Sequence, residues 1–257
     1  MKIATWNVNS LNVRLPHVLS WLESSEVDIL ALQETKCTDD NFPLEQIQKA
    51  GFHVVFNGQK SYNGVAIIAK NPITEVISDL TNYEDYQRRV LFATVGGIRI
   101  LNVYIPNGSE VGSEKYFYKL QWLQALQLDL IQNLNNYKNT ILLGDFNIAP
   151  RDEDLYDPVA WCDKILCSKP ERAAFQGFLD AGMVDTFLQF EQAENQYSWW
   201  DYRQAAFRRN LGMRIDFILA STNLSKNIQS CVIDKEPRTW QRPSDHAPVI
   251  ADFKIDL

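Results

Sequence analysis

The chain has 257 residues, 46% of them apolar and 22% charged, a balance that excludes intrinsic disorder and allows a sizeable buried core. No run of about 18 apolar residues occurs, so no membrane-spanning helix is expected, and the opening Met1-Lys2-Ile3-Ala4-Thr5-Trp6 lacks the apolar stretch and cleavage site of a secretory signal. The formal net charge of −7 does not by itself favour a polyanionic partner, although clustered metal-binding carboxylates would produce that sign and a bound cation would offset it.

In chain order, a strand is expected at 2–6, then a helix at 16–24 with Pro16 in its first turn, then strands at 28–32, 54–56, 65–69, 90–95 and 98–104. A long helix follows at 114–135, where Tyr116, Leu120, Leu123, Leu130 and Leu134 fall on one stripe. A strand at 140–143, a helix at 170–181 ended by Gly182, and strands at 215–220 and 249–253 complete the set. No Gly/Ser-rich or Pro-rich linker interrupts the order, so residues 1–257 read as one α/β domain with two packed sheets flanked by helices. The four cysteines, Cys37, Cys162, Cys167 and Cys231, are scattered; the Cys162–Cys167 spacing is not that of a zinc knuckle, and reduced thiols are expected.

Two apolar runs, Ile29-Leu30-Ala31-Leu32-Gln33-Glu34 and Ile141-Leu142-Leu143-Gly144-Asp145, echo one another, each ending in an acid. Other groups with strong ligand chemistry also flank expected strands: Asn7 after 3–6, Asn147 beyond Asp145, Asp216 at 215–220, and Asp245-His246 before 249–253. One such residue is usually a turn or cap. Six places in one chain point to a shared rim where carboxylates converge, and hard oxygen donors suit Mg²⁺ or Mn²⁺ better than zinc. His17, on the first helix, and His53, at the head of a strand, read as structural.

The segments Ile3-Ala4-Thr5-Trp6-Asn7-Val8-Asn9, Leu32-Gln33-Glu34-Thr35-Lys36, Asn102-Val103-Tyr104-Ile105-Pro106-Asn107-Gly108 and Leu143-Gly144-Asp145-Phe146-Asn147-Ile148-Ala149 resemble the exonuclease III family of DNA-repair nucleases. So do Ser198-Trp199-Trp200-Asp201-Tyr202-Arg203, Arg214-Ile215-Asp216 and Pro243-Ser244-Asp245-His246-Ala247-Pro248, in order along the chain. The resemblance implies a four-layer αββα sandwich, with two packed mixed β-sheets between helices and the active site at one rim. It also implies a Mg²⁺- or Mn²⁺-dependent hydrolase of duplex DNA with 3′ ends, nicks or abasic sites, acting in base excision repair. A monomer with no membrane partner, in the cytoplasm at the nucleoid, is the expected setting.

By the same resemblance, Glu34 is the direct metal ligand, with Asn7 and Asp245 completing or flanking a shell that Asp145, Asn147 and His246 also border. Asp145 is the water-activating base, Asn147 orients the water and holds a phosphate oxygen, and Tyr104 supplies a phenol near the phosphate. His246 contacts the scissile phosphate while Asp216 accepts its other N–H; a carboxylate there fixes the tautomer and favours the protonated ring. Asn107, Trp199, Met213 and Arg214 are expected on the DNA or phosphate side. If 145–147 is extended, the two-residue spacing turns Asp145 and Asn147 the same way. Among Tyr197, Trp199, Trp200 and Tyr202, base or sugar stacking competes with core packing, which is the better reading for Trp200.

Asn9 stands where some relatives carry Asp, and Met213 where some carry a Trp at the abasic-sugar pocket. The stretch from Asp154 to Glu171 aligns poorly with the best-known members, so abasic-site discrimination is expected to be reduced. Two other classes fit the metal-site residues: a phosphatase or phosphodiesterase acting on a lipid or inositol phosphate, and a non-catalytic DNA-binding module. The Trp199–Arg203 cluster favours DNA over the first. Retention of Glu34, Asp145, Asn147, Asp216 and His246 disfavours the second.

Overall fold

The computed structural model describes residues 1–81 and 83–255. The apolar runs form two six-stranded sheets. One has the order Ile228–Ile233, Val249–Phe253, Lys2–Asn7, Ile29–Gln33, Val65–Ala69, His53–Asn57; the other runs Ile73–Ile77, Val90–Val95, Ile98–Tyr104, Thr140–Asp145, Asp216–Ser221, Met183–Asp185. Each is mixed: Lys2–Asn7 runs parallel to Ile29–Gln33, and Ile98–Tyr104 parallel to Thr140–Asp145, with antiparallel neighbours around them. The two acid-terminated runs that echo one another in sequence are therefore the second members of the two parallel pairs, one in each sheet.

The inner faces meet through Ile3, Ile29, Ala31 and Ile67 on one side and Ile100, Ile141, Leu143 and Ile218 on the other. Outside one sheet, Trp122, Leu126 and Leu130 of the helix Glu114–Asn136 and Phe175 and Phe178 of Lys169–Asp180 cover Leu101, Leu142 and Phe217. Outside the other, Val18, Trp21 and Leu22 of Leu11–Ser25 and Ile47 of Leu44–Lys49 cover Ala4, Trp6, Leu30 and Leu32. Each large aliphatic buried this way contributes roughly 1.5–3 kcal/mol. The result is the four-layer αββα sandwich. No helix among the described residues is long and apolar enough to cross a membrane, and all four cysteines are free.

Three departures from the expected elements have local causes. The first helix begins at Leu11, so Pro16 lies inside it rather than in its first turn. The early start comes from the amides of Ser10 and Leu11, which donate to the carbonyls of Glu34 and Thr35, and from burial of the Leu11 side chain. The strands Ile73–Ile77 and Ile228–Ile233 have no counterpart in the sequence reading because they are sheet edges with mainly exposed side chains. Finally, 145–147 is not extended: the strand ends at Asp145, and Asn147 adopts a left-handed φ of 48°.

Candidate active site

Backbone register brings the reactive side chains to one rim. In one sheet Tyr104 lies opposite Asp145, and Asp145 opposite Asp216, on three adjacent strands. In the other, Asn7 lies opposite Gln33, and Glu34 follows in a left-handed conformation with φ 52°. Left-handed backbone at the non-glycine residues Glu34 and Asn147 costs of order 1–3 kcal/mol each and needs surrounding contacts to persist. For Asn147 those contacts are its own N–H, which donates to Asp145 Oδ1 at 2.9 Å, and its side chain, which donates to the carbonyl of Ile105 at 3.0 Å.

The side chains then meet across the two sheets. Asn7 Nδ2 donates to Glu34 Oε1 and to Asp145 Oδ2, each at 2.9 Å. His246 Nδ1 faces Asp216 Oδ2 at 2.9 Å, and its Nε2 lies 3.7 Å from Asp145 Oδ2. Asp216 is itself held by the Ser198 hydroxyl at 2.6 Å, and that hydroxyl accepts the N–H groups of Ile215 and Asp216. The segment bearing His246 is fixed by Ser244, which donates to the carbonyl of Asn7 at 2.7 Å, and by Trp6 Nε1, which donates to the carbonyl of His246.

Electrostatics separate the roles. Burial raises the Asp145 carboxyl, and although His246 pulls it back, Asp216 and Glu34 help carry it to about 7. Burial alone would lower the His246 imidazole; the carboxylates of Asp216, Asp145 and Asp245 outweigh it and raise the ring to about 10. Burial, with Glu34 and Asp145 nearby, pushes the Tyr104 phenol well above its ordinary value, so it remains a neutral hydroxyl. Burial opposes ionisation of Asp245, but His246 and the donors Asn9 and Trp199 hold its carboxyl below the ordinary value. Near neutral pH the rim thus presents a carboxylate poised to take a proton, an imidazolium and a phenol.

A cation fits this geometry. Glu34, Asp145 and His246 each offer a ligand atom within 4.8 Å of the others, and Glu34 and Asp145 supply the hard oxygens that Mg²⁺ or Mn²⁺ prefers. Asn7, expected in the metal shell, does not present an oxygen: its amide hydrogens point at the two carboxylates, and its Oδ1 accepts the N–H of Asn9. Asp245 flanks the group, with one oxygen taken by Asn9 Nδ2 at 2.9 Å and the other by Trp199 Nε1 at 3.0 Å. Asn147 is held between Ile105 and Asn107, whose Nδ2 donates to Asn147 Oδ1 at 3.1 Å; one Asn147 amide hydrogen is left for a substrate oxygen among the described residues. Asn107 itself is exposed at the mouth.

The DNA-side expectations divide. Half-buried Trp199 lines a hollow of about 240 Å³ with Tyr156, Trp161, Asp201, Arg203, Gln204, Ala206 and Leu211. Trp200 and Tyr197 are core residues, while Tyr202 is exposed. Met213 is fully buried among Ala149, Leu155, Leu166, Cys167 and Ile215, behind Trp199, and touches no open surface. Arg214 is also a correction: its guanidinium is buried, pairs with Asp154 at 2.7 Å and Asp185 at 2.8 Å, and lies over the rings of Phe187 and Phe217. It cross-links loops beneath the surface and reaches no phosphate.

Other residues that complete the site carried no assigned role in the sequence. Lys36 pairs with Glu34 at 2.7 Å, and the buried Arg89 donates to the carbonyl of Tyr104 and lies over its ring. Ser198 and Ser244 act through single hydroxyls, and a lone serine in a loop carries no periodic or compositional signal.

A four-layer sandwich whose strand ends gather two carboxylates, an imidazolium–carboxylate pair and amide donors defines a hydrolase built for phosphate esters, where charge develops on phosphorus and on the leaving oxygen. The chain belongs to the endonuclease/exonuclease/phosphatase family, whose pattern matches residues 4–246. It is 38% identical over 255 residues to an exodeoxyribonuclease of Bacillus subtilis (strain 168), spanning 97% of this chain and 98% of that one. Among solved structures it is similar to a 3′ phosphatase from Neisseria bound to a product DNA hairpin, with a TM-score of 0.98 and 47% identity over 99% of this chain and 100% of that one. It is also similar to an AP endonuclease from Archaeoglobus fulgidus, with a TM-score of 0.95 and 37% identity over 99% and 100% of the two chains.

Proposed function

We propose that residues 1–257 act as one catalytic domain that repairs DNA by hydrolysing phosphodiester and phosphomonoester bonds at or near 3′ ends. The chain is an exonuclease III-type hydrolase; its reactions in this reading are 3′→5′ removal of nucleotides from duplex DNA, clearance of blocked 3′ ends and incision beside abasic sites. The observation that carries the reading is the Asp216–His246–Asp145 array beside Glu34, which sets a base and an acid of opposite protonation state side by side.

Asp145 takes the proton of the attacking water as the water oxygen bonds to phosphorus and the P–O3′ bond breaks, the departing 3′-oxygen taking a proton from solvent; the raised proton affinity of Asp145 matches that task near neutral pH. His246, kept protonated by Asp216, donates Nε2–H to a non-bridging phosphate oxygen as charge accumulates there. Asn147 and the Tyr104 phenol supply neutral donors on the same side. A divalent ion, Mg²⁺ or Mn²⁺ by its donor set, would be held by Glu34 with Asp145 nearby and would supply Lewis-acid stabilisation of phosphate charge. In this reading Trp199 and the hollow beside it meet a sugar or base next to the scissile bond, which the half-buried ring lining that hollow supports.

Duplex DNA is the proposed partner, a monomer the proposed state, and the cytoplasm at the nucleoid the proposed setting. The Bacillus exodeoxyribonuclease and the DNA-bound Neisseria phosphatase support DNA over a lipid or inositol phosphate. The full set of reactive residues supports a catalyst over a passive DNA-binding module. Parallel assays with Mg²⁺ on a duplex bearing a 3′-phosphate, an abasic duplex and a soluble inositol phosphate test the substrate class. Turnover of both DNA substrates and none of the third is expected; turnover of inositol phosphate alone would replace this reading.

A further inference from the structure

The long helix Glu114–Asn136 buries a lysine, Lys119, whose ammonium is fully shielded from solvent. Its Nζ donates to the carbonyl of Asn147 at 2.6 Å, to the carbonyl of Asn107 at 3.2 Å, and to the carboxylate of Glu171. Glu171, equally buried, accepts the N–H of Leu166 at 3.1 Å through one oxygen, and the N–H and hydroxyl of Ser168 at 3.1 and 2.6 Å through the other. Tyr116, one turn before Lys119 on the same helix, meets the Ser168 hydroxyl at 2.8 Å. Gly108 lets the Asn107 turn close over this assembly: with φ +88°, a Cβ there would stand 2.9 Å from Ile165 Cδ1 and 3.1 Å from the Lys119 stem.

Two buried, fully hydrogen-bonded charges in a core are costly to assemble and are not required for packing alone. Their partners explain the cost. On one side stand the backbones of Asn147, proposed above to face the phosphate, and of Asn107, whose amide donates to the Asn147 side chain. On the other stands the segment Ile165–Ser168, whose Leu166 packs with Met213, Trp161 and Trp199, and those two tryptophans line the hollow beside the site. The N–H of Ala149, two residues past Asn147, donates to the carbonyl of Leu166 at 2.7 Å and closes the loop.

We propose that Lys119 and Glu171 are a positioning pair that sets the phosphate-side amides and the substrate-side wall in one fixed relation, so that Lys119 governs the rate and Glu171 governs which 3′ lesion is accepted. The proposal rests on the nuclease reading above. Lys119 touches no substrate atom; it holds two carbonyls from behind, and loss of that hold lets the Asn147 turn drift. A misplacement of about 1 Å at a reacting group costs about 10²-fold in rate.

The test compares wild type, Lys119→Met, Glu171→Gln and the uncharged double variant Lys119→Met/Glu171→Gln on a recessed 3′ end and on an abasic duplex. Rates are taken well below each melting temperature, with kcat and KM separated. Lys119→Met should lower kcat on both substrates by about 10²-fold, with KM within about threefold of wild type. Glu171→Gln should lower kcat on the recessed end less than Lys119→Met does, and should shift the ratio of abasic incision to end trimming by roughly tenfold. The double variant leaves no lone buried charge, so it reports on positioning if Lys119→Met fails to fold; it should retain the kcat loss. Variants that melt earlier but keep wild-type kcat and an unchanged substrate ratio would overturn the proposal, because the pair would then be structural only. A wild-type chain that cuts neither duplex would instead remove the nuclease reading, and this inference with it.

Discussion

Asp216 holds the Nδ1 edge of His246 at 2.9 Å and thereby aims Nε2 at Asp145 and the space in front of it. The carboxylate fixes both the orientation and the charge of the ring. Asp216→Asn keeps the shape but removes the charge that helps raise His246 to about 10. The alkaline limb of kcat/KM should then move down toward neutral pH, and kcat should fall by about 10²-fold or more. An unchanged alkaline limb would show that His246 does not act as a cationic donor.

Asp145→Asn should lower kcat by about 10²–10⁴-fold with DNA affinity nearly intact. A stability signature should accompany it. Because burial raises the carboxyl from 3.8 to about 7 in the folded protein, its contribution to stability is fully present below about 3.8 and is lost as pH rises through about 7. The variant lacks that loss, so in chelator its Tm relative to wild type should climb as pH goes from about 5 to 8. A Tm difference that does not move with pH would contradict the burial argument. With metal bound the ionised form is favoured, so the acid limb of wild-type activity should lie below about 7.

Asn7 donates to both carboxylates without offering an oxygen to the cation. Chelation should abolish activity, and Mg²⁺ or Mn²⁺ should restore it. Asn7→Ala should raise the metal concentration for half-maximal activity by about 10–100-fold, the effect of losing a group that orients ligands. Restored activity at wild-type metal levels would mean that the carboxylates hold their positions unaided.

Arg214→Met should destabilise the fold by about 3–5 kcal/mol, because Asp154 and Asp185 would be left buried without their cation. The folded variant should bind DNA with wild-type affinity and salt dependence. Met213→Trp should also destabilise, by about 1–3 kcal/mol, through overpacking a site with no exposed surface. A large loss of DNA affinity at unchanged stability in Arg214→Met would return that residue to the interface.

The contrast between these residues shows what a sequence makes legible. Strands such as Val65–Ala69 and Val90–Val95 announce themselves because burial on both faces demands continuous apolar runs, and the acids that close Ile29–Gln33 and Thr140–Asp145 mark the rim. The edge strands Ile73–Ile77 and Ile228–Ile233 escape because mainly exposed side chains need little apolar character. Arg214 and Met213 lie next to Asp216 in sequence, yet alternation and a loop crossing put them behind the wall, which no local pattern encodes. Asn7 is legible as a site residue, but which end of its amide faces the carboxylates depends on Asn9 N–H, a contact set by the turn. Lys119 is the least visible: a lysine on an amphipathic helix reads as solvated, and its burial is explained by Glu171, far along the chain, and by the carbonyls of Asn107 and Asn147.

Hydrolysis of DNA at this rim, by a metal-assisted attack for which Asp145 is the base, can be followed in one titration. An end-labelled duplex with a recessed 3′ end is incubated with wild type and with Asp145→Asn, in EDTA and then in rising Mg²⁺. Wild type should give a ladder of 3′-shortened strands that appears only with metal, and Asp145→Asn should be at least about 10²-fold slower at saturating metal and equal DNA occupancy. Strand shortening in EDTA, or equal rates for the two proteins at saturating Mg²⁺, would contradict this mechanism.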